Sequence, residues 1–516
     1  MARRASTLIL RLGAAAIAGW LLALAYPLQS QWWWAPISLA IFTAVIWNTN
    51  KKTGAIIGFI YGLVAFRLQH DWLIVVGADA TWILAIYLGL WITGVGIAMS
   101  IISRAITRRA IPWPVGLLAM SSIWILEELL RGRFPFGGYP WARFAFSQVD
   151  SPLAFWSRLG GVPWLSFIVV VVAVAAVGIF FIVSIRAKIT LVVVIVASFL
   201  IPITVSNYTN TRIDPAEPKM VIGVVQGGTP QTGMGAMDVR RAVLDNHVRE
   251  TVALAQKVER GDVPQPEIVI WPENSSDLDP YREPDAAALI DQAAKAIGVP
   301  ILVGAVVDSA TDPVNEVYNM GILWDPVTGP GDTYIKNAPV PFGEYIPFRS
   351  ILAPLISRYD NRVTRDFAHG SEPGIFNVNG VAFGDLICFE VAFDRVVNRV
   401  ISAGAQILVV QTNNATFAGT ALPEQQLHIE RLRAIEYDRT VIVAATTGIS
   451  AEILPDGSVG QILRDGETGS FVVEVAPHSN VTPAARFGPY LEIILSLFAV
   501  GVLAVIPIRK RQKHKS

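Results

Sequence analysis

Long apolar stretches separated by short polar gaps fill the chain up to about residue 205, and one more lies near the C-terminus. A bilayer core about 30 Å thick requires roughly 20 apolar residues in a helix that crosses it. The pattern therefore predicts a polytopic helical domain with about eight transmembrane helices, at residues 8–28, 33–47, 54–76, 82–102, 113–130, 162–185, 189–205 and 491–508. The basic start is also typical of a signal peptide, but further spans follow at once, which favours a retained first helix.

Basic residues occur in every second gap between these stretches. They are Arg3, Arg4, Lys51, Lys52, Arg104, Arg108, Arg109, Arg186, Lys188 and the cluster at 509–515. Because Lys and Arg accumulate in cytoplasmic loops, both termini are predicted to be cytoplasmic. The long segment between the seventh and the eighth span is then extracytoplasmic.

Two polar features interrupt the apolar region. Residues 131–141 contain too many Gly and Pro residues to form a span, so they are expected outside the membrane, either as an ordinary loop or as the lining of a lipid entrance. Glu127 and Glu128 end an apolar run. Carboxylates inside a membrane often mark function, but the favoured interpretation is an interfacial pair that reaches water.

A different pattern begins after the seventh span. Short β-rich runs at 221–226, 267–271, 301–307, 381–388, 406–411 and 441–445 alternate with helical stretches at 238–258, 285–297 and 424–438. This alternation predicts an α/β domain with a central sheet. The chain is accordingly divided into an N-terminal membrane part (1–211), an extracytoplasmic domain (212–483) and a final helix with a basic tail (484–516).

Composition narrows the functional classes. Hydrophobic residues make up 53% of the 516-residue chain and charged residues only 16%, against about 25% charged residues in soluble domains. Equal numbers of basic and acidic residues, 41 each, argue against nucleic acid as a partner. A single cysteine and six scattered histidines offer no disulfide and no paired metal ligands, so neither a metal nor another cofactor is expected.

Three residues in the α/β domain suggest chemistry. Glu273 and Cys388 each end a predicted buried strand, and Lys336 lies between them in the sequence. A thiolate is a strong nucleophile, a carboxylate can accept the thiol proton, and an ammonium can stabilise an oxyanion. Each residue alone also has an ordinary structural explanation, as a packed thiol, a turn carboxylate or a solvated lysine. The combination is what favours an active site.

The motifs around these residues resemble the Glu–Lys–Cys signatures of the nitrilase superfamily. They are WPEN at 271–274, YIK at 334–336, PFGEYIP at 341–347 and ICFE at 387–390. A nitrilase-like domain placed between several N-terminal spans and one C-terminal span is similar to the apolipoprotein N-acyltransferase family. The resemblance covers essentially the whole chain and implies an αββα sandwich for the domain outside the membrane.

The resemblance also implies the roles of individual residues. Glu273 would be the general base, Lys336 the oxyanion-stabilising residue and Cys388 the nucleophile. The positions that would support the site are Glu344, Phe389 and Glu390.

The reaction implied by this family is a ping-pong acyl transfer in the plasma membrane of a bacterium. A phospholipid would donate an acyl chain to the cysteine, and a diacylglyceryl-apolipoprotein would accept it at the α-amine of its N-terminal cysteine. The partners are then the phospholipid donor, the apolipoprotein acceptor and the lipid bilayer.

Some positions depart from the pattern of the family, and two other functions stay open. Phe389, Asn414 and Thr416 stand where the family often has Tyr, Asp and Trp. The first alternative is a membrane-tethered amidase or nitrilase that hydrolyses small C–N substrates. The second is a non-catalytic receptor or transporter with an outer ligand-binding domain, although the spans lack the repeats typical of transporters.

Overall fold

The computed structural model describes residues 2–210, 219–236, 238–352, 354 and 363–513. The chain forms two compact units. Residues Met1–Ile213 and Thr482–Ser516 make up the first unit, and Asp214–Val481 make up the second.

The first unit is helical. Within its described residues, a helix occupies each of the eight places where a span is predicted: α1 (Ala2–Ala23), α2 (Trp34–Ile46), α3 (Lys51–Gln69), α4 (Ala78–Thr107), α5 (Trp113–Arg131), α6 (Trp156–Phe181), α7 (Ile185–Asn210) and the C-terminal helix (Pro483–Lys513). Six of these described helices are long and apolar enough to cross a membrane. Helix α2 has only 13 residues, and α3 falls outside the six, so the count of eight spans stays a prediction.

The two carboxylates at the end of α5 are buried, and the interpretation that they reach water is wrong. Only 5% of Glu127 and 1% of Glu128 is exposed. Glu127 pairs with the Arg131 guanidinium at 2.6 Å, and Glu128 accepts hydrogen bonds from the Phe144 backbone N–H at 3.0 Å and the Ser166 hydroxyl at 3.1 Å. Neighbouring elements cover both side chains, which the sequence of α5 alone could not show.

Residues 132–149, which follow α5, are mostly buried within the first unit, apart from an exposed stretch at 133–137. Arg131 donates to the Tyr139 carbonyl at 2.9 Å, and the Arg143 carbonyl accepts from the Tyr26 hydroxyl at 2.8 Å. The Arg143 guanidinium pairs with Glu492 of the C-terminal helix at 3.3 Å. These contacts join the segment to the turn after α1 and to the C-terminal helix.

The Glu127–Arg131 pair provides a test of this packing. Arg131→Met leaves the Glu127 carboxylate buried without its cation, so we expect a loss of about 3 kcal/mol in stability. The double variant Glu127→Gln/Arg131→Met removes both charges and should recover much of that loss. Thermal unfolding of the detergent-solubilised protein measures both effects, and a single variant as stable as the unmodified protein would contradict the buried pairing.

The second unit contains two β-sheets. The strands are β1 (Met220–Gln226), β2 (Ile268–Ile270), β3 (Ile301–Asp308), β4 (Glu316–Asp325), β5 (Gly329–Ile335), β6 (Asp366–Phe367), β7 (Ile375–Val378), β8 (Val381–Ile387), β9 (Ile407–Thr412), β10 (Val441–Ala445), β11 (Ser450–Ile453), β12 (Val459–Leu463) and β13 (Gly469–Val475). The first sheet has the order β13-β1-β2-β3-β4-β5, with β6 beside β4, and the second has the order β12-β11-β10-β9-β8-β7. Strands β1 to β3 and β8 to β10 run parallel, whereas β13, β4, β5, β7, β11 and β12 join as antiparallel neighbours.

The two sheets face each other across an apolar core. Ile222, Ile270 and Leu302 of the first sheet pack there with Phe383 and Val409 of the second. The helices among the described residues of this unit are α8 (Ala242–Glu259), α9 (Pro284–Ile297), α10 (Arg349–Leu352), α11 (Asp394–Ser402) and α12 (Leu422–Tyr437). Helices α8 and α9 bury their apolar residues against the first sheet, and α11 and α12 pack on the second. The predicted αββα sandwich is confirmed.

All six predicted strands form, with ends shifted by a residue or two. They are the parallel strands, which are buried on both faces and therefore appear as continuous apolar runs. The outer strands were missed. Strand β5, for example, contains two glycines and a proline and is mostly exposed, so its sequence is typical of a loop.

Candidate active site

The three predicted catalytic residues follow strands of both sheets. Glu273 lies three residues beyond the end of β2, Lys336 directly follows β5, and Cys388 directly follows β8. The ends of parallel strands are where α/β proteins usually place functional groups. The fold brings Lys336 and Glu273 into direct contact at 3.0 Å, close enough to Cys388 for both charges to act on the pKa of its thiol.

A buried ammonium lies at the centre of this cluster. Lys336 is fully buried, and its Nζ donates to Glu273 Oε1 at 3.0 Å and to Glu344 Oε1 at 2.9 Å. Burial alone would lower the pKa of Lys336, but the two carboxylates outweigh it and raise that pKa well above its ordinary value. The lysine is therefore a permanent cation within the site.

Two asparagines that the sequence did not single out complete the contacts of the carboxylates. Asn319 Nδ2 donates to Glu273 Oε1 at 2.6 Å and to Glu344 Oε1 at 2.9 Å. The Asn413 backbone N–H donates to Glu273 Oε2 at 2.9 Å. Asn319 lies on β4, one of the strands that the apolar pattern did not predict, so nothing in the sequence pointed to it.

The thiol of Cys388 lies at a sharp turn between β8 and a short 3-10 helix (Cys388–Ala392). Its φ of +57° is left-handed, a strained conformation for a residue with a side chain. Burial raises the pKa of the Cys388 thiol to about 12, and the negative charge of Glu273 acts in the same direction. The resting cysteine is therefore a neutral thiol, which needs a base before it can act as a nucleophile.

Glu390 holds the loops around Cys388 in place. Its Oε1 accepts from the backbone N–H groups of Asn337 at 2.6 Å and Ala338 at 3.0 Å, next to Lys336. Its Oε2 accepts from the Tyr334 hydroxyl and the Ile387 N–H, each at 2.8 Å. The carboxylate thus links the chain on either side of Lys336 to the residue before Cys388.

The remaining predicted residue, Phe389, packs its ring edge-on against Phe393, with the ring centroids 5.3 Å apart. It therefore contributes packing next to Cys388. The arrangement as a whole places a carboxylate, a cation and a thiol together, as nucleophilic acyl chemistry requires. The catalytic roles of the individual residues stay predictions.

Both units match known protein families. Residues 18–175 match the family model described as apolipoprotein N-acyltransferase N-terminal domain. Residues 242–479 match the model described as carbon-nitrogen hydrolase. Together with the two-sheet fold, these matches define the class: an apolar helical unit joined to a domain of the carbon–nitrogen hydrolase type.

Similar proteins extend over nearly the whole chain. An apolipoprotein N-acyltransferase from Mycolicibacterium smegmatis is 35% identical, over 95% of this chain and 84% of the relative. Those from Pseudomonas syringae and Coxiella burnetii are 25% and 27% identical, over 94% and 92% of this chain and 95% and 96% of the relatives. The chain belongs to the apolipoprotein N-acyltransferase family, as the sequence motifs predicted, and it is a bacterial membrane protein.

The opposite effects of the two charged neighbours on the thiol can be tested directly, because Cys388 is the single cysteine of the chain. Glu273→Gln removes a negative charge that raises the pKa of the thiol, so the pH profile of alkylation by iodoacetamide should shift about one unit lower. Lys336→Met should shift that profile to higher pH. An unshifted profile in both variants would show that these charges do not act on the thiol.

Proposed function

We propose that this chain transfers an acyl chain from a phospholipid to the α-amine of the N-terminal S-diacylglyceryl-cysteine of lipoproteins. The observation that supports the assignment best is the contact of Lys336 with Glu273 and Glu344 next to a single neutral thiol. The family supplies the substrate class, and the apolar helices are suited to two substrates that are themselves anchored in a membrane. The phospholipid as donor and the roles of the site residues are parts of the proposal.

In the first half-reaction, Glu273 accepts the proton of the Cys388 thiol as the sulfur attacks the ester carbonyl of the phospholipid. The C–S bond forms, and negative charge develops on the carbonyl oxygen. Lys336 donates two of its three hydrogens to carboxylates among the described residues, and the third is suited to this oxyanion. The ester C–O bond then breaks, and the proton held by Glu273 passes to the leaving lysophospholipid.

In the second half-reaction, the α-amine of the lipoprotein attacks the thioester carbonyl while Glu273 accepts a proton from the amine nitrogen. The C–N bond forms and the C–S bond breaks, so the sulfur leaves with the electron pair and recovers a proton. An amide and a free thiol result. Transfer to an amine requires that water be excluded while the thioester waits, because hydrolysis would give only a fatty acid.

The thioester provides the direct test. Intact-mass measurement after incubation with one defined phospholipid should show the gain of a single acyl chain, and Cys388→Ala should show none. Adding a diacylglyceryl-cysteine peptide should discharge the adduct and acylate the peptide. The absence of an adduct with every lipid, together with turnover of simple amides, would instead support a membrane-tethered amidase, and ligand binding that Cys388→Ala leaves unaltered would support a receptor.

The second part of the proposal is that the carbon–nitrogen hydrolase domain is extracytoplasmic and both termini are cytoplasmic. The support is the placement of basic residues in every second gap between the apolar helices. This orientation would place the thiol on the side of the membrane where lipoproteins are exported.

Cysteine labelling tests this orientation. In a Cys388→Ala background, Val327→Cys lies in the turn between β4 and β5, where Val327 is 89% exposed, and should react with an impermeant maleimide in intact spheroplasts. The matched control is Arg109→Cys in an exposed position after α4, which should react only after permeabilisation. The reverse pattern would overturn the orientation.

A further inference from the structure

A buried hydroxyl lies beside the nucleophile. Strands β8 and β9 are parallel and pair Ile387 with Gln411, so the residues that follow these two, Cys388 and Thr412, reach the same edge of the sheet. Thr412 is only 1% exposed, the strand register places it beside Cys388, and its side chain lowers the pKa of the thiol. A hydroxyl at this position can either donate its hydrogen to the sulfur or give that hydrogen to another acceptor.

The other neighbour of this hydroxyl is the side-chain amide of Gln426 on α12. Thr412 Oγ1 lies 3.0 Å from Gln426 Nε2 and 3.3 Å from Gln426 Oε1. If the amide nitrogen faces Thr412, the hydroxyl accepts from it and keeps its own hydrogen for the sulfur. If the amide oxygen faces Thr412, that oxygen competes with the sulfur for the hydroxyl hydrogen.

Two further buried side chains decide between these orientations. Gln426 Nε2 lies 2.9 Å from Glu430 Oε1, a carboxyl oxygen that accepts a hydrogen bond. Gln426 Oε1 lies 3.0 Å from Asn414 Nδ2, which donates one. The two hydrogens of the Gln426 amide nitrogen therefore go to Glu430 and Thr412, and the oxygen is occupied by Asn414. At most 3% of any of these side chains is exposed, so water does not offer alternative partners.

We propose that Thr412 is a further catalytic residue, whose hydroxyl donates to the Cys388 sulfur, and that Gln426, Glu430 and Asn414 are positioning residues that fix the direction of this hydrogen bond. The inference rests on the proposed function in one respect, namely that Cys388 is the nucleophile. Asn414 is one of the departures from the pattern of the family. An aspartate at this position could not donate to Gln426 when ionised, so the hydrogen-bond direction depends on the residue that this chain carries.

The hydrogen bond acts at the moments when the sulfur bears negative charge. One such moment is the removal of the thiol proton by Glu273. Another is the collapse of the second tetrahedral intermediate, when the C–S bond breaks and the electron pair stays on sulfur. Burial and the Glu273 charge oppose the thiolate, while Lys336 and the Thr412 hydroxyl favour it. Thr412 thus acts on the sulfur, whereas Lys336 is placed for the carbonyl oxygen.

Alkylation of Cys388 by iodoacetamide tests the proposal without any lipid substrate. Thr412→Val keeps the shape of the side chain but removes the hydroxyl. Because a hydrogen bond to a charged group is lost, the alkylation rate at fixed pH should fall about tenfold, with the pH profile shifted upward by about one unit. Thr412→Ser restores a hydroxyl and should recover most of the rate. An equal rate in Thr412→Val and the unmodified protein would overturn the proposal.

Glu430→Met provides a second variant at a residue that is three hydrogen bonds away from the sulfur. Without the Glu430 acceptor the Gln426 amide can turn its oxygen towards Thr412, so alkylation should slow by about threefold. Burial raises the pKa of Glu430 to about 8, so this carboxyl group is mostly neutral at pH 7 and its replacement changes the hydrogen bonds of Gln426 rather than the charge near the sulfur. Faster alkylation in Glu430→Met would contradict the positioning role. Normal alkylation by the unmodified protein without acyl transfer to lipoprotein would refute the proposed function but not this inference.

Discussion

The site depends on one buried cation. A lysine without contact to water is stable as an ammonium only if opposite charges surround it, and Lys336 has Glu273 and Glu344 at hydrogen-bonding distance. One carboxylate follows a central strand and the other belongs to a loop after β5. The same ion pairs therefore connect the edge of the first sheet to its centre, orient Glu273, the proposed base, and keep a positive charge within the site. Replacing Lys336 would therefore disturb both the local fold and the proposed chemistry.

The candidate residues were accessible from the sequence because each follows a recognisable element or motif. Glu273 and Cys388 end buried apolar runs, and Lys336 belongs to a short motif with a known counterpart. Asn319 was not accessible, since a single polar residue inside a mostly buried strand gives no signal of its own. Thr412 and Gln426 were equally hidden. The role proposed for these two residues depends on their hydrogen-bond partners, which are known only from the packing of α12 beside the second sheet.

The elements of the fold also divide into those that the sequence reveals and those that it hides. Parallel strands and membrane helices are apolar on all sides, so their sequences reveal them, whereas the outer antiparallel strands carry mixed residues and look like loops. Glu128 illustrates the limit of reading one helix at a time. An acidic residue at the end of an apolar run looks solvated in sequence, yet a backbone N–H from a later segment and Ser166 of α6 surround it in the structure. Partners that are distant in sequence decide whether a charge is buried.

The neutral state of the resting thiol has a consequence for the durability of the protein. Peroxides and other oxidants attack thiolates far faster than thiols, and oxidation beyond the sulfenic acid is generally irreversible. With its pKa raised to about 12, Cys388 is nearly all protonated at neutral pH. No second cysteine exists in the chain to rescue an oxidised sulfur by forming a disulfide. The protonated resting state therefore protects Cys388 from an oxidation that the chain has no second cysteine to reverse.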